Sequence, residues 1–422
     1  MDALIIQGPN RLEGEVEVSG SKNAALPLLF SSLLFDKAVK YENVPRLWDI
    51  ETTLKLLQEI GTESSWDKEA GTVEIFPIVR RPVAPYELVR QMRAGILALG
   101  PLIAKCGQAE VSLPGGCAIG ARPVDYHLSA LEKMGVQVRV EGGYIHAKVK
   151  DRLVGADVEF PQVSVTGTEN ILIAACRAEG KTIIRNAARE PEVVALGEFL
   201  ISAGAQITGL GTETIEVTGG ELHVPEKPVR IRPDRIETGT WIAIAAATRS
   251  ALTVTNTDAS QLPSVIDVFR QMGMRIDVSE EGARLQITPC DRYNPVVVET
   301  QPYPGFATDM QAQLMAALCL ADGESILREN IFENRFMHVA ELRRLGAKIE
   351  TQGGEARIQG PARLVGAPIM ATDLRASASL VVAALASEGT SKISRIYHLD
   401  RGYQKLDRKL EKLGARIQRV QE

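Results

Sequence analysis

A helix that ends in glycine and runs straight into an alternating segment occurs six times along this 422-residue chain. The helical stretches are 50–60, 123–134, 191–203, 263–272, 335–345 and 403–413, capped in turn by Gly61, Gly135, Gly204, Gly273, Gly346 and Gly414. Successive glycines lie 74, 69, 69, 73 and 68 residues apart, a period that marks six copies of one supersecondary unit. Each glycine stands where a helix C-terminus needs a left-handed residue. The residues after it alternate as a strand does, as in Val136-Gln137-Val138-Arg139-Val140.

Every copy carries a second helix: 23–35, 92–105, 169–178, 238–249, 309–321 and 374–387. These stretches are rich in small and apolar residues, for example Ala243-Ile244-Ala245-Ala246-Ala247, and a helix apolar nearly all round is buried on most faces. Three units can bury three inner helices beneath surrounding sheets, so six units give two α/β domains, as the length also expects. Polar residues gather where the inner helices begin: Lys22-Asn23, Arg93, Thr168-Glu169, Glu237-Thr238, Thr308-Asp309 and Asp373-Leu374-Arg375. Helix N-termini favour phosphate or carboxylate, and six of them with these cations read as an anion site. Thr308-Asp309-Met310-Gln311 also reads as a capping box.

Forty-eight basic and fifty-three acidic residues leave a formal charge of −5, which argues against a protein that coats nucleic acid or anionic membrane. No signal-peptide pattern and no run as long as a membrane span is present, so a cytoplasmic location is expected. The five cysteines are odd in number and widely spaced, indicating neither a disulfide framework nor a metal site. Cys106, Cys176 and Cys319 lie in Ala/Leu-rich helical stretches and are expected to be buried. Cys117 differs. It sits in Ser112-Leu113-Pro114-Gly115-Gly116-Cys117-Ala118-Ile119-Gly120-Ala121-Arg122-Pro123, a solvent-reachable loop whose arginine favours thiolate over thiol. That thiol is a candidate reagent.

Six motifs resemble the UDP-N-acetylglucosamine enolpyruvyltransferase family along essentially the whole chain. They are Gly20 to Pro27, Pro114 to Asp125, Pro233-Asp234-Arg235-Ile236-Glu237-Thr238-Gly239-Thr240, Thr308-Asp309-Met310-Gln311-Ala312-Gln313, Phe332-Glu333-Asn334-Arg335-Phe336-Met337-His338, and Asp373-Leu374-Arg375-Ala376-Ser377-Ala378-Ser379. The resemblance implies an inside-out α/β barrel in two domains, each of three βαβαββ-like repeats, with substrates between them. It also implies boundaries at 22–231 for one domain and 1–21 with 232–422 for the other. The implied reaction moves the enolpyruvyl group of phosphoenolpyruvate to the 3′-hydroxyl of UDP-N-acetylglucosamine through a tetrahedral ketal, a step towards peptidoglycan that uses small-molecule substrates, no cofactor and no metal.

Within that resemblance Cys117 matches the acid that protonates phosphoenolpyruvate and can carry a covalent adduct, and Asp309 matches the base towards the sugar. Lys22, Asn23, Arg122 and Arg401 match the groups around phosphate and carboxylate, where arginine gives a planar fork and lysine a compact charge. Arg93, then Arg122, Pro123, Val124, Asp125 and Tyr126, then Gln162, Ser164 and Val165, with Asp309 and Ile331, match positions that hold the sugar nucleotide. Asp373 and Arg375 match a pair near the reacting centre that could equally be a structural salt bridge; Arg335 and His338 could orient the cleft. His127 could contact nucleotide. Gln162 stands where many members have lysine, so that contact departs from the pattern. The loop around Cys117 is expected to close as a lid that excludes water. Two rival readings are a silent UDP-sugar-binding paralogue and a transferase of the 5-enolpyruvylshikimate-3-phosphate synthase type; the cysteine loop and the full set of charged residues weigh against both.

Overall fold

The computed structural model describes residues 2–115 and 124–422; Cys117, Arg122 and Pro123, and with them the lid expected around Cys117, lie outside the described residues. The chain falls into two compact units, residues 20–115 with 124–232, and residues 2–19 with 233–422. Each unit holds three four-stranded sheets and its own apolar core.

One repeat stands for all. Strand Asp157–Glu159 leads into the inner helix Val165–Ala175, strand Lys181–Arg185 and the outer helix Pro191–Ser202, and the hairpin of Gln206–Thr208 with Thr214–Thr218 ends it. The first two strands pair in parallel, with Val158 opposite Ile184, and the hairpin joins them antiparallel, with Ile184 opposite Ile215. Parallel pairing needs a crossover long enough for a helix, which is why the inner helix sits between those strands. Three repeats borrow a strand from far along the chain, one of them by pairing Gly14–Glu17 in parallel with Leu252–Thr255. Val229–Arg230 pairs in parallel with Val39–Glu42, and Asp2–Gly8 lies between Gly389–Ser394 and Ile417–Gln421. Each unit thereby completes three sheets.

All six marker glycines are left-handed at the helix ends, with φ of 115° at Gly61, 89° at Gly135, 100° at Gly204, 102° at Gly273, 97° at Gly346 and 93° at Gly414. The inner helices are buried as expected. In the unit of residues 233–422, Arg235–Thr248, Gln311–Leu318 and Leu374–Ala386 pack on one another. Approach is close: a Cβ at Gly239 would come within 2.7 Å of Met310 Sδ. In the other unit Val165–Ala175 packs on both Lys22–Ser31 and Leu99–Cys106.

Two inner helices begin earlier than the polar clusters suggested. Ser164 caps the one at Val165 by accepting the Gly167 N–H, and Asp234 caps the one at Arg235 by accepting from Ile236 and Glu237. Glu169, Glu237 and Thr238 are therefore buried inside helices. Glu237 there receives the Trp241 Nε1–H and pairs with Lys409, and burial, reinforced by Glu192 and Glu190, pushes the Glu169 carboxyl well above the usual range. The capping box at Thr308 does not form. Thr308 donates its hydroxyl to Glu329, and the Gln311 side chain is buried with no hydrogen-bond partner among the described residues. Cys176 and Cys319 are buried, but Cys106 is exposed, because it is the last residue of Leu99–Cys106, where Gly107 turns the chain away.

Candidate active site

The middle inner helix of the unit of residues 233–422 opens with a 3₁₀ turn, Thr308–Met310, that has no side-chain cap. Asp309 projects from this turn. Arg335 Nη2 donates to one carboxylate oxygen at 2.9 Å, and Arg375 donates to the other from Nε at 3.1 Å, with its Nη2 in ion-pair contact at the same distance. Both arginine side chains are almost wholly enclosed, at 3% and 4% exposure, whereas Asp309 keeps 27%. Burial alone would pull the Arg375 guanidinium down; Asp309, Tyr403 and Asp234 together hold it above the usual arginine value. A buried charge pair of this kind is fixed in direction, since each lost hydrogen bond would strand a desolvated group.

The surrounding polar groups tie the three helix starts together. Gln313 donates to the Asp309 carbonyl at 2.9 Å and to Tyr403 Oη at 3.0 Å, and Tyr403 Oη lies 2.9 Å from Thr240 Oγ1. The Arg375 guanidinium stacks 5.5 Å from the Tyr403 ring. Asp373 is not the ion-pair partner of Arg375: its carboxylate accepts the N–H groups of Arg375 and Ala376, each at 3.0 Å, as the N-cap of Leu374–Ala386. His338 is buried, with its imidazole pushed down to about 4 by burial, although Asp373 opposes the shift. Arg401 lies half-buried just beyond the short helix Tyr397–Asp400.

In the other unit Lys22, the first residue of its helix, pairs with Asp49 at 3.2 Å. Asp49 is itself buried in the first turn of Trp48–Ile60. Asn23 and Arg93 are half-buried, and Arg93 starts the 3₁₀ turn Arg93–Ala98, which also has no side-chain cap. Of the predicted sugar-nucleotide positions here, Asp125 and Gln162 are exposed, while Tyr126, Ser164 and Val165 are half-buried. Val124 is a core residue.

His127 is a structural hub and does not present a nucleotide contact. It is 1% exposed. Asn170 fixes its state: Asn170 Oδ1 accepts from the Gly100 N–H, so its Nδ2 donates to the Ile96 carbonyl at 3.1 Å and to His127 Nδ1 at 3.0 Å. His127 Nδ1 must then accept, and Nε2–H faces Thr166 Oγ1 at 3.3 Å. That tautomer is neutral, and burial with the nearby Arg93 pushes the imidazole down to about 3.

Sequence reasoning missed Asp49, Gln313, Tyr403 and Glu329. Asp49 carried a signal, an acid at a helix start opposite Lys22. Glu329 comes after a strand without any motif, and only the fold places it against Thr308.

The family model for EPSP synthase (3-phosphoshikimate 1-carboxyvinyltransferase) matches residues 6–410. The UDP-N-acetylglucosamine 1-carboxyvinyltransferase of Nitratidesulfovibrio vulgaris is 53% identical over 423 residues, covering 100% of both chains. The protein of the same name from Acinetobacter baylyi is 52% identical over 421 residues, again covering 100% of both. Among solved structures, the enolpyruvyl transferase NikO from Streptomyces tendae superposes with a TM-score of 0.89 at 26% identity, covering 99% of each chain. EPSP synthase from Acinetobacter baumannii superposes at 0.79 over the full length of both; at 18% identity that likeness speaks for the fold alone. From residue 6 to residue 410 and in its fold, the chain belongs to the EPSP synthase family of enolpyruvyl transferases.

Proposed function

We propose that the chain transfers the enolpyruvyl group of phosphoenolpyruvate to the 3′-hydroxyl of UDP-N-acetylglucosamine and releases phosphate, the step that commits the sugar nucleotide to peptidoglycan. Relatives about half identical over their whole length and named for this activity support the choice of substrates. Asp309 is the observation that carries the chemistry. Asp234 and Asp373, its neighbours at the other two helix starts, are taken up by backbone N–H groups, whereas Asp309 is steered by two guanidiniums and remains partly exposed.

In the addition step Asp309 takes the proton of the 3′-hydroxyl as that oxygen bonds to C2 of phosphoenolpyruvate, and the Cys117 thiol delivers a proton to C3. The product is a tetrahedral ketal that keeps the phosphate. Elimination removes a proton from the C3 methyl, re-forms the C2–C3 double bond and expels phosphate, whose bridging oxygen is protonated. The Cys117 sulfur can also bond to C2 as C3 is protonated, which holds phosphoenolpyruvate as a covalent adduct. Lys22, Asn23, Arg122 and Arg401 neutralise phosphate and carboxylate. Residues 122–126 and 162–165, with Arg93 and Ile331, hold the sugar nucleotide. Both substrates are soluble metabolites, in keeping with a cytoplasmic enzyme; no helix among the described residues is long and apolar enough to cross a membrane.

Phosphate release measured with both substrates, on wild type and Cys117→Ala, tests the reading. Release by wild type and its loss in the variant are expected. No release by wild type would refute the activity, and undiminished release by the variant would refute only the role of the thiol.

A further inference from the structure

Glu329 is a carboxylate in a place where burial is costly. It is 7% exposed, and an enclosed carboxylate persists only where donors replace its water. Four donors do so. Oε1 accepts the Thr300 hydroxyl at 3.0 Å, the Ile331 N–H at 2.9 Å and the Phe332 N–H at 3.1 Å, and Oε2 accepts the Thr308 hydroxyl at 2.9 Å. Thr300 completes the knot by accepting the Asn330 N–H at 2.9 Å. Its four donors are hydroxyls and backbone N–H groups rather than arginine or lysine, so its role is not that of a buried salt bridge.

These bonds lead to Asp309 by two routes. Thr308 is the residue immediately before Asp309 in the uncapped 3₁₀ turn, so its hydroxyl bond to Glu329 anchors that turn from the side. Phe332, held through its N–H, lies with its ring 5.4 Å from the Arg335 guanidinium, and Arg335 grips Asp309 Oδ1. The third bond, to the Ile331 N–H, fixes the loop of a predicted sugar-nucleotide contact.

We propose that Glu329 is a positioning residue that sets Asp309 and the Ile331 loop in register with each other, so that the base and the sugar-nucleotide contact arrive as one unit. This rests on the roles given above to Asp309 and Ile331. Its two arms are separable. Thr308 serves the Asp309 arm, and Thr300 serves the Ile331 arm.

The test measures kcat and the KM of both substrates, with thermal melting, for Glu329→Gln, Thr308→Val and Thr300→Val. Glu329→Gln keeps the shape but turns one acceptor into a donor facing Thr308; loss of a charged acceptor predicts about a tenfold or larger fall in kcat/KM for the sugar nucleotide. Thr308→Val is expected to lower kcat with little change in KM, and Thr300→Val to raise the KM of the sugar nucleotide while leaving that of phosphoenolpyruvate near wild type. Wild-type kinetics in Glu329→Gln would overturn the proposal, as would parallel losses in all three variants that track the melting temperature. Inactive wild type would instead refute the functional reading itself, and the role of Glu329 with it. The Thr308 and Thr300 variants keep the test decisive if Glu329→Gln folds poorly.

Discussion

In the unit of residues 20–232 the capped inner helices begin at serines, Ser21 and Ser164, whereas in the other unit they begin at carboxylates, Asp234 and Asp373. In each unit the middle inner helix lacks a side-chain cap and opens with a 3₁₀ turn, carrying Arg93 in one case and Asp309 in the other. The polar groups beside those turns differ in the same way. Around Arg93 sits a neutral network, His127 with Asn170 and Thr166; around Asp309 sits an ionic one, with Arg335 and Arg375. A repeat therefore dictates the backbone, including which helix start stays open, while the charge placed there is free to diverge. The two networks should also fail differently. A buried ion pair loses far more when one partner goes than a neutral hydrogen-bonded network does.

The largest effect is expected from Asp309→Ala. It leaves two enclosed guanidiniums facing each other, a loss on the order of 3–5 kcal/mol in stability, and it removes the proposed base, worth roughly 10² to 10⁴ in kcat. Asp309→Asn keeps the shape and separates the two losses. The matching change in the neutral network, Asn170→Ala, strands the Gly100 N–H and His127 Nδ1, for about 1–3 kcal/mol, with no direct loss in kcat. Urea melts and steady-state kinetics on the three variants decide the matter: if Asn170→Ala cuts kcat as deeply as Asp309→Asn, the division into an ionic working centre and a neutral structural one is wrong.

The next effect is a pH dependence to which the two buried histidines contribute with a definite sign, opposite to that of the raised Glu169 carboxyl. His127 is pushed down to about 3 and His338 to about 4, from an ordinary value of 6.5, chiefly by burial. Both are neutral in the fold, while the unfolded chain takes up their protons below about 6.5, so their contribution is complete above that pH and is lost as pH falls from 6.5 towards 4 and 3. Each histidine gives up to ~1.4 kcal/mol per pH unit in that window. His127→Gln should flatten the pH dependence of unfolding free energy by about one proton between pH 6 and 4.5. An unchanged slope would mean that His127 is charged in the fold, against the tautomer that Asn170 imposes.

The backbone was legible and the networks were not, for a physical reason. Periodicity and the glycine marker report local conformation, so they give six repeats, the inner helices and their burial, all as found. They cannot report pairings between residues hundreds of positions apart, such as Asp2–Gly8 joining Ile417–Gln421. The same limit explains the site. Asp309, Arg335 and Arg375 are each visible in motifs, but their convergence depends on two repeats meeting, since Asp309 and Arg335 share one repeat and Arg375 comes from the next. The salt bridge weighed for Asp373 and Arg375 does not form because two residues that close in sequence meet through a cap rather than through their charges. His127 looked available because it stands just after the glycine-rich loop. Its enclosure by Asn170, 43 residues away, has no local signature.

The smallest expected effects are at the caps, where the contrast between the units is most direct. Ser164 accepts one N–H, from Gly167, and Ser164→Ala should cost ~1 kcal/mol. Asp234 accepts two, from Ile236 and Glu237, and its burial raises its carboxyl against the opposing pull of Arg375. Asp234→Ala should cost more, about 2 kcal/mol at the upper end of the capping range, because it also removes a charge that Arg375 leans on. Asp234→Asn keeps the cap without the charge, and a side-chain amide caps about as well as a carboxylate. If Asp234→Asn unfolds at the same denaturant concentration as wild type, the carboxylate acts as a cap alone; if it falls halfway to Asp234→Ala, the charge reaches into the network around Asp309. The second outcome is expected, since Arg375 is the common neighbour of both acids.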